Sequence, residues 1–118
     1  MKLIPLVYVT DMDRAISFYT RLLPAAQIVT SSPAWTELKV GEATLALHIT
    51  ETVDHDGDGM GLGLDAPTKL EEVLQLLDEA GIAASGEICS QPFGRSVSVT
   101  DPDGLIIQIN EYSSPPAG

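Results

Sequence analysis

The side chains of this chain that could do chemistry are gathered in a few short runs. Trp35-Thr36-Glu37 and Ala46-Leu47-His48 bring an indole, a carboxylate and an imidazole; Ser96-Val97-Ser98 and Gln108-Ile109-Asn110 bring hydroxyls and amides without formal charge. Groups of this kind hydrogen-bond and stack, and an imidazole beside a carboxylate can move a proton when a substrate is within reach. A further run, Asp54-His55-Asp56-Gly57-Asp58-Gly59 followed by Asp65, has the oxygen-ligand spacing of a calcium loop at positions one, three, five, six and twelve, with Asp54, Asp56 and Asp58 as its first ligands. That match is partial. No helices are expected to flank the run, its twelfth position is Asp rather than Glu, and Gly61 falls where an apolar residue is usual, so a flexible acidic linker is the simpler account. Cys89 is the single cysteine and has no His near it in sequence, which suits a buried or edge thiol in a reducing compartment better than a nucleophile.

These residues need elements to hold them, and hydrophobic period supplies the order. A strand is expected over 3–10, a helix over 13–23 capped by Thr10 or Asp11 and ended by Pro24, a short strand near 27–30, and a hairpin of 35–40 and 43–49 turning at Gly41-Glu42. The order then recurs: a strand over 60–64, a helix over 68–80 with Gly81 at its C-cap, a strand over 83–88, and a hairpin of 96–100 and 105–110 about Asp101-Pro102-Asp103-Gly104. Shifting the first helix by 54 residues lays Asp11, Ile16, Tyr19, Leu22 and Leu23 on Asp65, Leu70, Val73, Leu76 and Leu77; shifting the first hairpin by 62 lays Leu45 and Leu47 on Ile107 and Ile109. The expected fold is α+β: two tandem βαβββ modules, about 1–52 and 58–112, form one domain as a cupped, mostly antiparallel sheet with helices on the convex side, and 113–118 is a loose tail.

Parity assigns the faces. The helices must cover Val7, Val9, Leu38, Val40, Leu45, Leu47, Ile49, Leu62, Leu64, Val97, Val99, Ile107 and Ile109. Tyr8, Trp35, Glu37, Lys39, Ala46, His48, Gly59, Gly61, Gly63, Ser96, Ser98, Gln108 and Asn110 then share the opposite side. Alternate glycines leave empty volume above a strand, and the mixture of amides, hydroxyls, imidazole and indole suits a cavity; a solvated face or an oligomer contact is the plainer alternative.

Seventeen acidic and six basic residues give a net charge of −11, which repels phosphate backbones and sets nucleic acid aside as a partner. The charge serves solubility or draws a cationic ligand. The N-terminal apolar run is short and interrupted by Pro5, so no signal peptide or membrane span is expected, and the cytoplasm is the expected location.

Residues 11–19 (DMDRAISFY), 35–38 (WTEL), 41–47 (GEATLAL), 92–95 (PFGR) and 100–104 (TDPDG) together resemble the vicinal oxygen chelate superfamily, which includes glyoxalase I, extradiol dioxygenases, fosfomycin resistance enzymes and bleomycin resistance proteins. The resemblance runs along nearly the whole chain. Its metal-dependent members carry His or Glu at positions that fall here on Ile4, Ala46, Gly59 or a neighbour, and Gln108, none a usual ligand, so the resemblance implies a metal-free cup with no cofactor. A rebuilt metal site would have to use His48, Glu37 and Gln108. The bleomycin-resistance branch implies a protein that sequesters an aromatic, cationic drug unaltered at a homodimer interface. In that reading Trp35 and Phe93 stack on flat rings, Glu37 supplies negative charge, and His48, Ser96, Ser98, Gln108 and Asn110 orient polar edges, with Tyr8, Ala46 and Gly61 lining the cup. Arg95 would hold a carboxylate such as Glu37. The rival class is an enzyme, a lyase, isomerase or dioxygenase with a displaced metal or with acid–base chemistry by His48 and Glu37; the third is a scaffold without a ligand.

Overall fold

The structure, a computed structural model, describes residues 4–51 and 61–113. The aspartate run and the expected tail beyond Ser113 lie outside the described residues. The chain divides into two compact units, Met1–Asp56 and Gly57–Gly118. Among the described residues, no helix is long and apolar enough to cross a membrane.

The first unit contains β1 (Leu6–Val9), α1 (Met12–Leu22), β2 (Gln27–Ser31), β3 (Trp35–Val40) and β4 (Ala43–Ile49). Its sheet runs β1-β4-β3-β2, with β1 parallel to β4 and the other pairs antiparallel. The crossover from β1 to β4 is made through α1, which starts at Asp11: the Asp11 carboxylate accepts a hydrogen bond from the Arg14 amide at 3.1 Å, and Asp13 adds negative charge in the first turn. The buried stripe of α1 is Met12, Ala15, Phe18 and Tyr19; of the expected stripe Tyr19 is buried, and Ile16, Leu22 and Leu23 are only half-buried. Ala15, 1% exposed, is the reason: its small side chain lets the helix lie close to the sheet, and the stripe is centred on it. Gly41 turns the β3–β4 hairpin at φ 63°, the left-handed conformation that a residue without Cβ adopts at little cost.

The second unit repeats the order with β5 (Leu62–Asp65), α2 (Leu70–Glu79), β6 (Cys89–Gln91), β7 (Gly94–Thr100) and β8 (Ile106–Tyr112). Its sheet runs β5-β8-β7-β6, again with one parallel pair, β5 and β8. Helix α2 ends in a Schellman motif: the Gly81 amide donates to the Asp78 carbonyl at 3.0 Å and the Ile82 amide to the Leu77 carbonyl at 2.8 Å, with Gly81 at φ 77° and both Ile82 and Leu77 buried. The strand expected over 83–88 is displaced. Pairing begins at Cys89, and the preceding segment makes one backbone bond to the sheet, from the Ser85 amide to the Ser98 carbonyl at 2.8 Å. The tight turn at Pro92-Phe93 sets this register, so the ladder grows from the turn and stops after three residue pairs.

The parity reading of the two cores holds. Val7, Val9, Leu38, Leu45, Leu47, Val97, Val99, Ile107 and Ile109 are all buried, while Val40, Ile49, Leu62 and Leu64, towards strand ends or the sheet edge, are half-buried. The α+β class with two βαβββ modules is the architecture observed.

Candidate functional site

On the uncovered face of the first sheet, three strands bring one residue each to the same rung. Parallel pairing puts Tyr8 beside His48, and the Gly41-Glu42 turn puts His48 opposite Trp35. The ring centroids of Tyr8 and His48 lie 5.5 Å apart and those of Trp35 and His48 5.7 Å apart, the latter at 89°, both edge-to-face contacts. His48 Nδ1 lies 2.7 Å from the Ile49 carbonyl oxygen. A carbonyl only accepts, so Nδ1 carries the hydrogen and the neutral ring keeps its Nε2 lone pair. One rung along, the Trp35 indole Nε1 donates to Glu37 Oε2 at 3.1 Å, which holds the carboxylate against the indole. Glu37 pairs with Ala46, and Ala46 with Leu6; Ala46 is fully buried and forms floor rather than contact surface. Tyr8 is half exposed and Trp35, Glu37 and His48 are partly so.

The corresponding face of the second sheet is built from amides and hydroxyls. Ser98 pairs with Gln108 and Ser96 with Asn110, while β5 contributes Gly63 beside Gln108 and Asp65 beside Asn110. Gln91 Nε2 donates to Ser96 Oγ at 2.9 Å, Gln108 Nε2 to Asn110 Oδ1 at 2.7 Å, and the Tyr112 hydroxyl to Asp65 Oδ1 at 3.2 Å. Burial, with the nearby Asp65 charge, raises the Tyr112 phenol above its ordinary pKa. Where the segment before β6 leaves the sheet, a cavity of about 280 Å³ opens, lined by Ser96, Ser98, Gln108, Gln91, Cys89 and residues 85–87.

The other expected positions fall as follows. Phe93 is in the β6–β7 turn with its ring 5.2 Å from that of Tyr112. A Cβ on Gly61 would lie 2.5 Å from the Ile106 carbonyl oxygen, so close backbone approach requires the glycine there; Gly63 is the position with open space, its nearest neighbour being Asn110 Nδ2 at 4.0 Å. Arg95 holds carboxylates, but they are Glu71 and Glu111 and not Glu37: Nη1 and Nη2 reach Glu71 at 2.7 and 2.8 Å, and Nε and Nη2 reach Glu111 at 2.9 and 2.8 Å. Cys89 is an exposed thiol on an edge strand. The sequence reading missed Tyr112, Asp65 and Gln91, which share the polar face of the second sheet; continuing the alternation to the end of β8 and outward to its neighbours would have found them. It also missed a groove of about 610 Å³ between the start of α1 and the residues 31–33 turn, for which no periodic signal exists.

The residues do not suit the divalent metal of metal-dependent relatives. Ile4 and Ala46 present hydrocarbon, Gln108 offers only the oxygen of a neutral amide, a weak ligand for a divalent ion, and the third position lies outside the described residues. Among the described residues no three His, Cys, Asp or Glu side chains are grouped to hold an ion.

The model of the Glyoxalase/Bleomycin resistance protein/Dioxygenase superfamily matches residues 4–109, and the chain belongs to that family. Among solved structures it is similar to a bleomycin resistance determinant encoded on the transposon Tn5, at 20% identity and TM-score 0.75, over 97% of this chain and 99% of that one. It is similar to a bleomycin-binding protein complexed with bleomycin, at 24% identity and TM-score 0.71, over 94% and 99%. It is also similar to lactoylglutathione lyase from Agrobacterium tumefaciens, at 21% identity and TM-score 0.73, over 92% and 91%. No curated protein matches the sequence. Identities this low establish the shared fold, and binders and a lyase stand side by side on it.

Proposed function

We propose that this protein binds and sequesters a small aromatic, cationic molecule without transforming it. The observation that carries the proposal is the row Tyr8–His48–Trp35 with the Glu37 carboxylate fixed beside the indole: flat edges for stacking, a negative charge next to them, and Nε2 of His48 as an acceptor. The likeness to a bleomycin-binding protein supports a flat, charged drug as the ligand class, and the likeness to a bleomycin resistance determinant supports a resistance role; a homodimer completes the proposal. Exposed Ile4, Leu6 and Tyr8 along β1 and its N-terminal approach offer an apolar patch to a second copy. The cytoplasm is the proposed location.

Titrating bleomycin and other flat cationic antibiotics while recording Trp35 fluorescence tests this. Saturable quenching is expected, with the drug recovered unaltered. Trp35→Ala should weaken binding at least about tenfold, a larger change than its effect on thermal stability. A loss of stability without a loss of affinity would return Trp35 to a packing role. One observation favours a second reading: with Nδ1 fixed on a carbonyl, His48 Nε2 is oriented as a general base, and turnover abolished by His48→Gln would establish an enzyme instead.

A further inference from the structure

In the second unit, hydrogen bonds between side chains pin the polar face. Gln108 Nε2 donates to Asn110 Oδ1 at 2.7 Å, and the Tyr112 hydroxyl donates to Asp65 Oδ1 at 3.2 Å. An amide oxygen only accepts, so the bond to Asn110 fixes which way the Gln108 carboxamide is turned. The consequence falls on Gln108. Its orientation is set from behind, and its Oε1 and second Nε2 hydrogen have no partner among the described residues where Gln108 lines the cavity of about 280 Å³ with Ser96 and Ser98. Ser96 is 4% exposed and already accepts from Gln91, so it too is held in place.

We infer that this cavity recognises the edge of a cis amide, as found in lactams and in the imide edge of flat heterocycles. The ligand N–H meets Gln108 Oε1 and the ligand carbonyl meets Gln108 Nε2, a paired donor and acceptor that a carboxamide matches and that an isolated ion does not. The lining agrees: apart from Glu87 it carries no charged side chain, and Ser98 adds a hydroxyl that donates or accepts as the ligand requires. Asn110 is a positioning residue, acting through Gln108. The inference rests on the reading that the chain binds a small molecule, but it uses none of the aromatic row.

The test is a titration of nitrogen-labelled protein with δ-valerolactam and with its N-methyl derivative, following the Gln108 side-chain amide resonances. The lactam should shift them saturably and bind about tenfold tighter than the N-methyl form, which lacks the N–H. Gln108→Leu should abolish the saturable shifts of the Ser96 and Ser98 backbone amides, which line the same cavity and report binding in both proteins. Asn110→Ala removes the acceptor that orients Gln108; the preference should shrink to about threefold or less, although Asn110 does not line the cavity. Asn110→Val gives the same reading if Asn110→Ala does not fold. Equal affinity for the two lactams, a response surviving Gln108→Leu, or an undiminished preference in both Asn110 variants would overturn the inference. Trp35 fluorescence with bleomycin in the same samples separates the two readings: lactam binding without drug binding sinks only the sequestration proposal, and drug binding without a lactam response sinks only this one.

Discussion

The helix of the first unit is capped by its own neighbour in sequence, and the helix of the second is capped from across the sheet. Asp11 accepts from Arg14 three residues on. Lys69, at the same place before α2, makes no side-chain cap; the Leu70 amide instead donates at 2.8 Å to Glu111 Oε2, 41 residues away on β8. Arg95 then fixes Glu111 and ties it to Glu71 in the first turn of α2. One cap is local and survives as long as the chain is helical; the other exists only once β7, β8 and α2 have come together. The uncovered faces differ in the same spirit, aromatic rings and an acceptor on one sheet, hydrogen-bonded amides and hydroxyls on the other. A duplicated backbone has kept its hydrophobic pattern and let its polar positions diverge, because the core needs only period and volume whereas hydrogen bonds need particular partners.

The sharpest way to break this contrast is at the turns. Gly94 has φ 151° and a Cβ there would lie 2.1 Å from the Glu111 carbonyl oxygen, so Gly94→Ala strains the strand that carries Arg95; Gly41, at φ 63° with nothing within 4 Å, stands in open space. Urea unfolding should show Gly94→Ala costing about 3 kcal/mol or more, and Gly41→Ala about 1 kcal/mol. Equal costs would remove the distinction.

Acid should act next, and on the second unit's clasp. The Arg95 hydrogen bonds, with a backbone bond and the cation's charge, pull Glu71 from its ordinary 4.5 to about 2, and Arg95 with the Leu70 amide lowers Glu111. Both carboxyls are depressed in the folded state, so the folded protein binds fewer protons than the unfolded one. Their contribution is complete above the unfolded value, near pH 4.5, and is lost as pH falls toward about 2. Thermal melts between pH 5 and pH 2 should therefore fall in the wild type and fall less steeply in Arg95→Met. Added salt should shrink the difference, since these groups are solvent-accessible. A parallel descent of the two curves would show that the clasp does not hold α2.

The smallest effect expected is none at all. Because the positions of the family's metal ligands carry Ile4, Ala46 and Gln108, a chelator should leave the melting temperature unchanged. A marked drop would mean that an ion is held by donors other than these.

The legibility of the molecule follows the range of the forces. Strand parity, the Gly41 and Asp101–Gly104 turns and the hairpin that carries Ser98 and Gln108 could be read directly, since each depends on residues a few places apart. The strand expected over 83–88 could not: the Pro92-Phe93 turn fixed the ladder nearer to itself. Arg95 was legible as the holder of a carboxylate and not as the holder of Glu71 and Glu111, because charge announces a partner's sign without naming it.

By itself, then, the sequence determined two βαβββ units, their cores and their uncovered polar faces, because period and turn chemistry act locally. Tertiary structure alone put Tyr8 beside His48, set Glu111 on the end of α2 and brought Tyr112 to Asp65. Those contacts need parallel register, set by a crossover through a helix, and no short stretch of sequence encodes that distance.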